Sequence, residues 1–323
     1  MAQHFLLSTA ARTLSLAKVA RMSEEEARAA FQAIRWADHD GQPHCPECGS
    51  VTLYTLAKRH LWECKDCHHQ FSVTSGTIFA SHKRPIRDYL LAIAIFVNGA
   101  KGHSALQLSR DLDCQYKTAF VLAHKIREAL GATDADAKVS GEVEIDGMYA
   151  GGYIKPANRK ENRRDRRHLR NQNGKRQVVI VARERQGKTL TFVAKSEDAG
   201  VPGLQQRIAL GSTVYADEAA HWNALHLRYL TKQVNHSEAY STPEANTNLA
   251  ESFFSRLRRA EIGTHHHIAG PYLASYAAEM DWREDNRRIS NGEQYLIAAS
   301  AVAKHGVSDK WCGYWQRHIE GAE

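Results

Sequence analysis

The chain contains no run of eighteen apolar residues, the least that a membrane-crossing helix needs, which excludes a membrane span. A secretory leader is not expected either. The opening "MAQHFLLSTAARTLSLAKVARM" has one weak apolar stretch, and Arg12 interrupts it. A cytoplasmic protein is the expectation. Cysteine is scarce, six in 323 residues, and without a secretory route those six are not expected to form a disulfide framework. Acidic residues are outnumbered, 36 Asp+Glu against 43 Lys+Arg, which leaves a net charge of +7 and a pI near 9.0. Such a balance suits a polyanionic partner, and nucleic acid is the commonest. The remaining composition, 43% hydrophobic and 24% charged, is ordinary for a folded globular chain, and the length allows two or three domains.

Four of the six cysteines are paired. Cys45, Cys48, Cys64 and Cys67 form the pattern C-x2-C-x15-C-x2-C, within the spacing range of zinc ribbons. Each C-x-x-C sets two thiolates on a tight turn, and two such turns facing each other close a tetrahedral site. Gly49 follows the first pair, where a positive φ helps the chain turn back. "SVTLYTLAKRHLWE" between the pairs reads as two short strands, and "HQFSVTSGTIF" after them as a third. All four positions are filled by protein, so the zinc expected here is structural. His68 and His69 could compete with Cys67 as ligands, but four thiolates are the simpler set. Cys114 and Cys312 stand alone and read as buried thiols.

Ser23 and Glu26 form a capping box before "EEARAAFQAIRW", whose apolar residues recur at helical spacing. Pro85 opens a second apolar helix that ends near Asn98 and Gly99. "HSALQLSRDL", a turn at Asp113 and "CQYKTAFVLAHKIREAL" complete a helix-turn-helix-like segment, whose last helix offers Gln115, Tyr116 and Lys117 to DNA. A plain helical linker would read the same way. "GATDADAK" is a polar boundary, after which the pattern turns to strands: "VSGEVEIDG", "RQVVIVARER" and "KTLTFVAK". A helix near "GLQQRIA", a strand "STVYAD", a helix "EAAHWNAL", a strand near "KQVNH" and a long helix from about Asn248 follow. Three strands and then alternating helices and strands make an α/β order with a mixed, ribonuclease-H-like sheet.

The expected domains are an N-terminal helical segment (1–40), the ribbon (41–80), a helical DNA-binding segment (81–132), the ribonuclease-H-like core (138–290) and a C-terminal helical tail (291–323). Residues 155–176, "KPANRKENRRDRRHLRNQNGKR", are nearly free of apolar side chains and crowded with arginine. They read as a solvated loop that also offers Arg163, Arg164, Arg166 and Arg167 to DNA phosphates.

Asp146 ends the first strand of the core and Asp217 ends "TVYAD", while Glu251 lies in the first turns of the helix after Asn248. Strand ends and an adjacent helix start are where a sheet of this kind gathers a site. Carboxylate oxygens are the ligands that Mg²⁺ takes. Two such ions can activate an attacking oxygen and stabilise a leaving one. Glu142, Glu144 and Glu218 are nearby rivals. The histidines 265–267 read as a solvated loop, and Trp282, Arg283 and Asn286 as a late helix beside the core, with Arg283 a phosphate contact.

Taken in order, the CPECG and CKDCHHQFSVTSGTIF ribbon, EIDGMYAGG, the basic hairpin, VYADE, TNLAESFFSRLRR and GTHHHIAGPYLASYAAEMDWREDNRR resemble the DDE transposases of bacterial insertion sequences, in the group with an N-terminal zinc ribbon. The resemblance covers roughly residues 23–288. It implies an enzyme that binds the inverted-repeat ends of its element and carries out metal-dependent strand cleavage and transfer. Asp146, Asp217 and Glu251 would be its catalytic residues and the ligands of two Mg²⁺ ions, or of Mn²⁺ in their place. Arg258 would be an auxiliary basic residue on the helix of Glu251. Some members of the group use Asn at the third position, so Asn248 or Glu251 completes the site. The implied partner is double-stranded DNA, both element ends and target, bound by a homodimer or larger assembly in the bacterial nucleoid. A non-catalytic DNA-binding regulator or domesticated transposase would share the ribbon, the helices and the charge.

Overall fold

The computed structural model describes residues 5–152, 155–165, 168–171, 173–234 and 246–320. They form two compact units, one running to Thr133 and resuming at Asn286, the other spanning Asp134–Asp285.

The first unit begins with α1 (Leu16–Ala20) and α2 (Glu24–Arg35). The capping box of α2 forms as its sequence requires: Glu26 N–H donates to Ser23 Oγ, and Ser23 N–H donates to Glu26 Oε2 at 2.7 Å. The ribbon is a three-stranded antiparallel sheet of β1 (Leu53–Leu56), β2 (Leu61–Cys64) and β3 (Gln70–Phe71). Next come α3 (Ile86–Asn98), α4 (Ala105–Asp111) and α5 (Tyr116–Ala132). Pro85 cannot cap α3 with a side chain. Glu24 of α2 does so instead, accepting from Ile86 N–H at 2.9 Å and Arg87 N–H at 3.3 Å. The turn between α4 and α5 uses Asp113 at φ 46°, a left-handed position that Asp tolerates. Arg84 fastens the turn by donating to Leu112 O at 2.7 Å.

The second unit is built on β4 (Glu142–Ala150), β5 (Gln177–Glu184) and β6 (Thr189–Ala194), followed by α6 (Glu197–Arg207) and β7 (Thr213–Asp217). After a 3₁₀ helix at Ala220–Leu227 come β8 (Leu230–Val234), α7 (Asn248–Ala260) and α8 (Leu273–Asn286). The sheet order is β6-β5-β4-β7-β8. The first three strands are antiparallel, whereas β7 and β8 run parallel to β4. This is the mixed ribonuclease-H-like sheet.

Both faces of the sheet are covered, which explains why "QVVIVARE" is a nearly continuous apolar run. Val143, Ile145, Val214 and Ala216 pack on one face with Leu204 of α6 and with Trp222 and Leu225. Met148, Ala150, Val179 and Val181 pack on the other with Phe253, Phe254 and Leu257 of α7 and Met280 of α8.

The first unit is completed by α9 (Asn291–Lys304) and α10 (Tyr314–Glu320), with α9 lying among α2, α3 and α5. Among the described residues no helix is long and apolar enough to cross a membrane.

Several expectations need correction. The stretch "EAAHWNAL" winds as a 3₁₀ helix rather than an α-helix. The helix expected near "GLQQRIA" begins at Glu197, because Ser196 caps it and Gly200 and Val201 bury on the sheet. Cys114 is half-buried and Cys312 exposed, so neither is a core thiol. Arg283 is buried, and its Nε donates to Glu279 Oε1 at 2.8 Å, which takes it away from a phosphate-contacting role. His265 lies on a π turn that ends α7, edge-on to Tyr276, while His266 and His267 are exposed.

Two acids of α8 face β6. Asp281 accepts from Thr191 Oγ1 at 2.7 Å, and Asp285 accepts from Thr189 N–H at 3.0 Å. Burial raises both carboxyls, Asp285 to about 6 and Asp281 well above the usual range. The folded state therefore holds these protons more tightly than the unfolded chain. The stability that Asp285 contributes is full below the unfolded pKa and is lost as pH rises through about 6. Asp285→Asn keeps an acceptor for Thr189 and removes the charge. It is expected to stabilise the protein by on the order of 2 kcal/mol at pH 8 and by much less at pH 5. Denaturant midpoints at the two pH values measure this, and equal gains at both would contradict it.

Candidate active site and candidate metal centre

The four ribbon cysteines place their sulfurs within 4.8 Å of one another. Cys45 Sγ lies 3.5 Å from Cys67 Sγ, and Cys48 Sγ lies 3.5 Å from Cys64 Sγ. Four thiolates at about 2.3 Å from one tetrahedral ion would be about 3.8 Å apart, so the cluster fits zinc. The two turns are built alike. Gly49 N–H donates to Cys45 O at 2.9 Å, and His68 N–H donates to Cys64 O at 3.0 Å. Gly49 (φ 75°) and His68 (φ 59°) are both left-handed, each four residues after the first cysteine of its pair. The role of His68 is thus in the backbone turn. Cys64 is lowered to about 6, chiefly because the Cys67 N–H hydrogen-bonds to its sulfur, which favours thiolate.

The second unit gathers acids at one level of its sheet. The register that pairs Glu142 with Thr213 and Glu144 with Tyr215, carried two residues further, sets Asp146 beside Asp217. Asp146 is not at a strand end, since β4 runs on to Ala150. It lies just past the last residue paired with β7, where the two strands part. By alternation it shares the α7-covered face with Glu144 and Met148. Burial raises its carboxyl to about 7. The Gly147 N–H, 2.7 Å away, opposes the rise, while the negative charges of Asp217, Glu251 and Glu197 add to it. Glu251 lies in the first turn of α7, on the exposed face with Asn248 and Arg258. Glu251 bears on Asp146 through its charge, which a neutral Asn248 cannot do.

The rival acids are otherwise engaged. Glu144 is 1% exposed and accepts from Leu249 N–H at 2.7 Å, Ala250 N–H at 3.2 Å and Arg185 Nε at 3.2 Å. It satisfies two otherwise unpaired donors in the first turn of α7 and so holds the helix that carries Glu251. Glu142 accepts from Tyr215 Oη at 2.5 Å and pairs with Arg185. Glu218 is exposed. A second tie holds the same turn: Arg183 donates to Leu249 O at 3.1 Å and to buried Glu284 at 2.5 Å, and Glu284 also pairs with Arg256. Glu144→Ala would orphan both amides and Arg185. It should cost about 3 kcal/mol of stability by chemical denaturation, and Glu144→Gln should cost less. Equal stability of Glu144→Ala and wild type would contradict this role.

Sequence reasoning missed Glu197. It opens α6 after the Ser196 cap, accepts from Tyr149 Oη at 3.1 Å and lies 3.4 Å from His221 Nε2. A Cβ on residue 147 would come within 2.3 Å of its carboxylate, so the glycine of EIDG is what lets Glu197 approach the strand. A carboxylate in a first helical turn ordinarily reads as a dipole partner, and only its neighbour Gly147 hinted otherwise.

Of the residues expected to contact DNA, Lys117 is exposed in the first turn of α5, and Arg163 and Arg164 are exposed between β4 and β5. Arg166 and Arg167 lie outside the described residues.

Residues 138–285 match the ISXO2-like transposase domain, and residues 22–70 match the transposase zinc-ribbon domain. A protein of the transposable element ISH50 from Halobacterium salinarum, itself uncharacterized, is 26% identical over 280 residues, covering 82% of this chain and 92% of that relative. No solved structure matches the chain. Ribbon and core occur in the order of an insertion-sequence transposase. The chain belongs to the DDE transposases with an N-terminal zinc ribbon.

Proposed function

We propose that the protein binds the inverted-repeat ends of its own element, cleaves a strand there and joins the freed 3′ end to target DNA. What supports this reading is the Asp146 carboxyl, raised to about 7 chiefly by burial and further by the nearby charges of Asp217 and Glu251. Carboxylate oxygens are the ligands that a hard divalent cation takes. Asp146, Asp217 and Glu251 would hold Mg²⁺ or Mn²⁺. When bound, such ions neutralise charge on the phosphate and favour the attacking and leaving oxygens.

The chain's own part is positioning. Asp146 and Asp217 are fixed by the sheet, and Glu251 is fixed by the clamp of Glu144 and Arg183 on α7. Arg258, close to two turns beyond Glu251 on the exposed face, would hold a DNA phosphate beside the reacting bond. Lys117 and the arginines at 163, 164, 166 and 167 would hold the backbone further out. Four thiolates would keep a structural zinc in the ribbon. Two ends must meet, which calls for a dimer or larger assembly on DNA.

The test uses purified protein and DNA carrying the gene's flanks. A nick at the element end with Mg²⁺, absent with EDTA, is expected. Tight binding of the ends without any nick would favour a non-catalytic regulator.

A further inference from the structure

Beside the first turn of α5, wholly within the first unit, lies a cavity of about 590 Å³. That is within the range of small-ligand sites, about 300–1,000 Å³. The loop before α3, the start of α5 and the segment 311–316 form its walls. Lys83, Lys117 and Lys125 line it together with the aromatic residues Tyr89 and Trp315 and the buried Trp311. Asp113 is the single acid in the wall.

Lys125 points most clearly to a ligand. The residue is half-buried, and it makes no hydrogen bond or ion pair with any described residue. Burial lowers its pKa, against the weak opposing pull of Cys312 and Glu128. Glu128 is itself occupied, accepting from Ser308 Oγ at 2.7 Å. A half-buried cation with no bonded counter-charge is a ready partner for an anion. Trp315 is held at the cavity by its own donor, Nε1 to Lys117 O at 3.3 Å, with Lys117 Nζ 5.1 Å from its ring centre. Trp311 is stacked on His124 at 4.4 Å, which fixes that wall.

Cations that take phosphates, set among rings on which a base can stack, are the chemistry by which proteins hold single-stranded nucleic acid. A cavity of this volume suits a single nucleotide better than a base pair with both its strands. We propose that it receives an unpaired nucleotide of a DNA strand, with phosphate on the lysines and base against the rings, next to the exposed residues 115–118 of α5. This rests on the DNA-binding part of the function proposed above, and on none of its chemistry.

The test is a tryptophan-fluorescence titration of the full chain with three ligands: a short deoxythymidylate strand, an abasic strand of equal length and a blunt duplex of the element end. The thymidylate strand should quench emission and bind about tenfold more tightly than the abasic strand. Lys125→Met should melt no lower than wild type, because a half-buried charge is removed, yet weaken thymidylate binding by about tenfold. Trp315→Leu should abolish the preference for thymidylate. Equal affinities for the thymidylate and abasic strands, or unaltered binding by Lys125→Met, would overturn the proposal while leaving duplex-end binding and the transposase reading in place. Failure to bind any of the three DNAs would overturn both.

Discussion

Asp217→Asn is expected to bind element ends as wild type does and to cleave them at least about a hundredfold more slowly, the scale on which loss of one preorganised contact to the transition state is felt. The substitution is mild structurally. Asp217 Oδ1 accepts from Ala219 N–H at 3.3 Å, and an Asn oxygen can do the same, so the turn after β7 persists. What is lost is the negative charge facing Asp146. Neutralising a neighbour should also make the Asp146 carboxyl more acidic, since Asp217 helps to raise it. Glu218→Gln is the control: the side chain is exposed one residue on, and cleavage should change little. A gel assay of end-nicking with parallel binding isotherms decides the matter. Wild-type cleavage by Asp217→Asn would remove this residue from the site.

Cys64→Ser is expected to lose the ribbon. Cys64 is buried and ends β2, where Leu53 of β1 is its partner, so the site and the small sheet share a residue. A sheet of this size has little apolar core, and structural zinc supplies about 10–16 kcal/mol in small zinc domains. The variant should fall from one zinc per chain to near none, and protease should cut within residues 44–71. Metal analysis and limited proteolysis read the two effects separately. Zinc content equal to wild type would contradict the four-thiolate site. The same variant should bind element ends less well if the ribbon contacts DNA, a readout independent of the metal count.

The parts of this fold that were legible in sequence are those whose chemistry is local. The cysteine spacing describes two turns, and each turn closes through its own backbone, from Gly49 to Cys45 and from His68 to Cys64. Ser23 and Glu26 cap α2 within three residues. Asp146 and Asp217 stood out because each follows an apolar run, and the parallel register, whose last pair is Glu144 and Tyr215, leaves each two residues beyond it. What stayed hidden is non-local. Glu144 clamps amides 105 and 106 residues away, so on the strand it resembled any rival acid. Arg183 and Glu284, 101 residues apart, gave no sign of meeting. The period of "NGEQYLIAASAVAK" announces a helix with a buried face, but not that α9 packs among α2, α3 and α5 of the first unit. Arg283 looked like a DNA contact because arginine on a late helix ordinarily faces solvent, whereas here Glu279 one turn earlier takes its guanidinium inside.

Strand joining distinguishes a transposase from a nuclease or a regulator of the same fold. An element-end duplex with an exposed 3′-OH would be incubated with the protein, supercoiled plasmid and Mg²⁺, and the plasmid examined for covalently attached end. Joined product is expected, and it should vanish with EDTA and with Asp146→Asn. Plasmid that is nicked but never joined, or bound and left intact under conditions where both ends are assembled, would contradict the transposase reading.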